Sequence, residues 1–78
     1  MTRQWQNRIS INPDIHHGEP CIKGTRIPVA ILVGNLADGM TFADIIEAYP
    51  QLSSEDIYAA LAYATEVMRQ EIVYPLSA

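Results

Sequence analysis

Seventy-eight residues are enough for one domain, and a chain of that size buries only about 60 % of the surface its unfolded form exposes, so its core is small. A hydrophobic content of 49 % beside 18 % charged residues excludes a disordered tail protein. Five Lys and Arg against nine Asp and Glu, net −4, exclude strong nucleic-acid binding by a single copy, because that affinity comes from cations on phosphates.

The single cysteine, Cys21, excludes an internal disulfide and any multi-cysteine zinc site. Self-association, as a homodimer or higher oligomer, is then the expected support for so small a fold. One unpaired thiol, with no signal peptide and no apolar run of about 18 residues, predicts a cytoplasmic protein with no membrane partner.

In chain order, the sequence divides into a polar lead (1–7), a short β arm (8–27), a three-helix core (28–70) and an apolar tail (71–78), all within one domain. Trp5 is out of keeping with a solvated lead and is expected to pack on the body of the protein or on a second copy. Arg8-Ile9-Ser10-Ile11 alternates with period two and predicts a strand, and Asn12-Pro13-Asp14 supplies a turn. Cys21-Ile22-Lys23, bounded by Gly18 and Pro20 before it and Gly24 after it, predicts a second strand of a hairpin-like arm.

Pro28 suits the first turn of a helix over 28–38, whose face is Val29, Leu32, Val33 and Leu36. Ile31 lies opposite that face beside Gly34 and is a candidate contact for a second copy. Gly39 fits a left-handed C-terminal residue. Thr41 with Asp44 resembles a capping box, with Asp in place of Glu, for a second helix over 42–48 that buries Phe42, Ile45, Ile46 and Tyr49. Pro50 ends it. Ser53 with Asp56 repeats the pattern for a third helix over 54–70, with Ile57, Ala60, Leu61, Ala64, Val67 and Met68 inward and Glu55, Tyr58, Ala59, Ala62 and Tyr63 outward. The tail Ile72-Val73-Tyr74-Pro75-Leu76 is apolar and β-prone, so Ile72, Val73 and Tyr74 join Trp5 and Ile31 as candidate self-association or partner contacts.

Chemistry-bearing residues are few. Gly18-Glu19-Pro20-Cys21-Ile22-Lys23-Gly24-Thr25 inverts the order of a phosphate-binding loop, with lysine before the last glycine and a proline that removes a donor. His16 and His17 with Asp14 and Glu19 have the donor types for zinc, nickel or iron, but adjacent turn histidines rarely converge on one ion, so no metal and no cofactor is expected. Cys21 with a histidine or Lys23 beside it has the parts of an activated thiol, yet a cysteine in a strand is more often a small buried apolar residue. Lys23-Gly24-Thr25-Arg26 is the densest basic feature. It either grips a phosphate or a partner's carboxylate, or is structural, with Gly24 making the turn, Thr25 helping to start helix one and Arg26 paired within the chain or its copy.

Gly18-Glu19-Pro20-Cys21-Ile22-Lys23-Gly24-Thr25-Arg26-Ile27-Pro28-Val29, followed by Leu36-Ala37-Asp38-Gly39-Met40, Tyr49-Pro50-Gln51-Leu52 and Ile57-Tyr58-Ala59-Ala60-Leu61-Ala62-Tyr63-Ala64, resembles the bacterial family known as domain of unknown function 433. The resemblance implies a mainly α, homeodomain-like helix-turn-helix core. It also implies a non-catalytic VapB-type antitoxin that silences a PIN-like nuclease toxin encoded nearby and contacts operator DNA as a dimer or toxin complex. On that reading the candidate DNA or partner contacts are Lys23, Gly24, Thr25, Arg26, Ser54 and Tyr58. The sequence departs from the pattern at Glu19, where a basic residue is frequent, and in helix three, which offers no Arg or Lys before Arg69. The alternatives are a stand-alone DNA-binding regulator and, more remotely, a small metal or thiol enzyme.

Overall fold

The computed structural model describes residues 4–14 and 18–71. Five elements follow one another: β1 (Ile9–Ser10), β2 (Cys21–Ile22), α1 (Val29–Ala37), α2 (Phe42–Ala48) and α3 (Ser54–Glu71). The fold is mainly α, three helices preceded by a two-stranded antiparallel arm, as the sequence predicts.

β1 and β2 pair with Ile9 opposite Ile22 and Ser10 opposite Cys21. The pairing continues past the strands, because the Lys23 N–H donates to the Arg8 carbonyl at 2.7 Å and the Val29 N–H to the Pro20 carbonyl at 2.9 Å. The arm is thereby fastened to the first residue of α1. Ile9 and Ile22 are both buried and turn one face of this short ladder into the core.

Local chemistry sets the helix ends. Pro28, expected as the first helical residue, is extended (φ −70°, ψ 145°) and stands just outside α1, which starts one residue later than predicted. At the far end Gly39 has φ +98°. Its N–H donates to the Leu36 carbonyl, and the Met40 N–H to the Asn35 carbonyl, both at 3.0 Å, the paired bonds of a Schellman motif. Thr41 and Asp44 form the reciprocal box that starts α2: the Asp44 N–H donates to Thr41 Oγ1 at 3.1 Å, and the Thr41 N–H to Asp44 Oδ2 at 3.0 Å. Ser53 and Asp56 repeat it at α3 with bonds of 2.9 and 3.4 Å.

Leu32, Ile45 and Ile57, one from each helix, meet Ile22 of the arm as the largest fully buried side chains. α3 packs against α1, α2 and β1. Covered on several sides, it departs from the predicted inward and outward faces: Ala59, expected outward, is 1 % exposed, and Ala62 is also buried. Alanine lets neighbouring backbones approach a second side of the helix. Met68, expected inward, is 64 % exposed. In α2 only Ile45 is fully buried, while Phe42, Ile46 and Tyr49 are half-buried against the core. Among the described residues no helix is long and apolar enough to cross a membrane.

Candidate binding site: a cationic turn and an apolar groove

The basic run predicted as a contact is a tight turn at the tip of the arm. The Thr25 N–H donates to the Ile22 carbonyl at 2.9 Å, with Gly24 at φ +81° in the third position. Thr25 Oγ1 donates to the same carbonyl at 2.7 Å and accepts from the Ile27 N–H at 3.0 Å. Thr25 therefore closes the turn and does not start α1. Nothing lies within 4 Å of where a Gly24 side chain would project, so glycine is required here by backbone conformation and the tip faces open space.

Lys23 and Arg26 are exposed, and neither side chain has an ion-pair partner among the described residues. Arg8, next to Lys23 across the ladder, joins them on this part of the arm. Its Nη1 lies 3.0 Å from Asp56 Oδ1, which ties the arm to the first turn of α3. Asp56 lies between the other two predicted contacts: Ser54 is exposed at the start of α3, and Tyr58 is 38 % exposed with its ring 4.9 Å from that of Phe42. The structure thus gathers Arg8, Lys23 and Arg26 on the arm and joins them to the end of α3 that carries Ser54 and Tyr58.

Of the candidate self-association residues, Trp5 and Ile31 lie among the described residues. Trp5 packs on its own chain, edge-on to Tyr63 with ring centroids 4.8 Å apart, and its Nε1 donates to Glu66 Oε1 at 2.9 Å. Ile31 is 44 % exposed beside the open Gly34, on the solvent side of α1 as predicted. Ile72, Val73 and Tyr74 lie outside the described residues.

His16 and His17 also lie outside the described residues, and among those described no group of three His, Cys, Asp or Glu is placed to hold a metal. Cys21 is 3 % exposed, the small buried apolar residue that a strand position favours. Its Sγ donates to the Glu19 carbonyl at 3.5 Å. Burial first, and the charge of Glu19 second, push its pKa above the ordinary thiol value, so it stays a thiol at neutral pH.

One feature escaped sequence reasoning. An open groove of about 420 Å³ runs between α1 and α3, walled by Val29, Ala30 and Val33 on one side and Tyr63, Ala64, Val67 and Met68 on the other, with Glu19 and Pro20 at its rim. Periodicity predicts Val29, Val33, Ala64, Val67 and Met68 on inward faces and Tyr63 outward. Periodicity gives the face of a helix but not how closely its neighbour packs against it.

Comparison with known proteins places this fold. The family model described as protein of unknown function (DUF433) matches residues 9–64. An uncharacterized protein of Sinorhizobium fredii, y4eO, is 38 % identical over 56 residues, covering 72 % of this chain but only 25 % of its own length. The crystal structure of a DUF433 member from Anabaena variabilis superposes with a TM-score of 0.77 at 37 % identity, covering 83 % of this chain and 64 % of that one. The chain therefore spans about a quarter of the curated relative and less than two thirds of the solved one. With the family model matching over residues 9–64 and the superposed structure that of a DUF433 member, the chain belongs to the DUF433 family.

Proposed function

We propose that this protein is a non-catalytic binding protein, the antitoxin of a pair whose toxin is a PIN-like nuclease, and that its principal contact is with protein. The observation that carries this reading is the distribution of charge. Between Arg26 and Arg69 there is no Lys or Arg, while Asp38, Asp44, Glu47, Glu55, Asp56 and Glu66 all fall in that stretch. The helical part of the surface is anionic and repels phosphate.

A nuclease has to hold a polyanion and carries a positive field where it does so. An anionic helical surface complements that field, and Lys23 and Arg26, without an ion-pair partner among the described residues, supply charge-assisted hydrogen bonds to carboxylates at the edge of the contact. Co-expression of the chain with the product of the adjacent gene, tagged only on that product, tests the reading. Co-purification with rescue of growth is the expected result. Absence of both a complex and toxicity removes it.

A stand-alone DNA-binding regulator is the second reading, supported by the same two free cations and the neighbouring Arg8. On that reading the arm grips phosphate. α3 is poorly suited to base reading, since Ala59 and Ala62 are buried and Tyr58 leans on Phe42. Upstream DNA would then be retarded at about 50 mM salt and released as salt rises.

A further inference from the structure

Among the described residues, α1 is the helix without an ionisable side chain: over Val29–Ala37 only Asn35 is polar. Its solvent side is Ala30, Ile31, Gly34 and Ala37, all exposed, and nothing lies within 4 Å of where a Gly34 side chain would project. Ala30 also lines the groove, so apolar surface continues from this face toward α3. We propose that the uncharged face of α1 pairs with the same face of a second copy, the two helices antiparallel about a twofold axis. The inference does not rest on the proposed function.

Charge selects the occupant. Two chains of net −4 repel wherever their acidic residues meet. α2 carries Asp44 and Glu47, and α3 carries Glu55, Asp56 and Glu66, so α1 is the helix through which two copies can touch without that cost. A cationic partner finds no carboxylate along α1 and is drawn instead to α2 and α3.

The ends of α1 select the orientation. Asp38 stands at its C-terminus, where the last turn holds no basic residue. At its N-terminus Pro28 offers no side-chain cap, and the first turn holds no acidic residue. One chain thus sets a carboxylate at the negative end of the helix dipole and none in the turn at the positive end, the reverse of the favourable arrangement. Antiparallel pairing corrects both ends. A twofold that seats Ile31 over Gly34 of the second copy also brings Asp38 level with Ile27 and Pro28 of that copy, beside its first turn. Symmetry makes each of these contacts twice. Nine residues of helix are only about 13 Å long. The contact is therefore smaller than a standard interface of about 800 Å² per partner, and a dissociation constant on the order of 100 μM is expected.

Sedimentation equilibrium of the full chain, up to about 1 mM, tests this. A dimer that grows with concentration is expected. Ile31→Glu sets two like charges at the centre of the pair and is expected to weaken it about a hundredfold or more, with the circular dichroism spectrum unchanged because the position is exposed. Asp38→Asn removes two contacts between a carboxylate and a helix N-terminus and is expected to weaken the pair about threefold or more. A monomer at every concentration overturns the proposal, as does a dimer that Ile31→Glu leaves intact. A dimer weakened by Ile31→Glu but indifferent to Asp38→Asn overturns the antiparallel arrangement, and the proposal with it.

Discussion

Among the described residues Lys23 and Arg26, unlike Arg8, have no carboxylate partner, and on the proposed reading that difference separates structure from function among three neighbouring cations. Replacing Arg8 with Ala breaks an exposed pair and is expected to cost under about 1 kcal/mol of stability. Replacing Lys23 and Arg26 with Ala is expected to leave stability within about 0.5 kcal/mol, while partner affinity falls about tenfold or more, as isothermal titration would show. Gly24 is a different case, because its φ of +81° is strained for any side chain. At Cys21, the raised pKa and burial predict that a thiol reagent at neutral pH modifies the folded chain about tenfold or more slowly than the unfolded chain. Comparable rates in native buffer and in denaturant would show the site to be open.

The elements are held chiefly by caps between residues three apart, and for that reason they were legible in the sequence. Thr41 with Asp44, Ser53 with Asp56, and Gly39 each do locally what they predict, and the bounds of α2 agree with expectation. Thr41→Ala is expected to cost about 1 kcal/mol in urea unfolding. The cap also titrates: bonds from the Thr41 backbone and side chain hold the Asp44 carboxyl below its ordinary value of 3.8. A lowered pKa means stabilisation that is present above the ordinary value and lost as pH falls through the folded one. Thr41→Ala should therefore move the Asp44 titration, followed by NMR, upward toward 3.8, and an unmoved midpoint would acquit the cap. Long-range features were not legible. The bond from Trp5 to Glu66 spans 61 residues. The burial of Ala59 and Ala62 depends on three elements closing around α3, and Met68 is exposed on the wall of the open groove between α1 and α3.

The whole molecule couples a small core to a segregated charge. Leu32, Ile45 and Ile57 tie the helices together, and Leu32→Ala is expected to cost about 2–5 kcal/mol, a large share of what so short a chain possesses. Around this core the acidic residues are spread over the helices, while Lys23 and Arg26, without an ion-pair partner among the described residues, lie on the arm and Arg69 stands in the last turn of α3. The charge total and the family resemblance are legible without the fold, whereas which cations have a carboxylate partner among the described residues is not. The most direct measurement is the affinity of the purified chain for the adjacent gene's product, taken beside its affinity for upstream DNA in the same buffer at about 50 mM salt, where phosphate contacts are strong. Tight binding to the protein, weakened about tenfold by the Lys23→Ala, Arg26→Ala variant, with DNA bound more weakly, is the predicted result. Tight, salt-sensitive binding to DNA with none to the protein would contradict it.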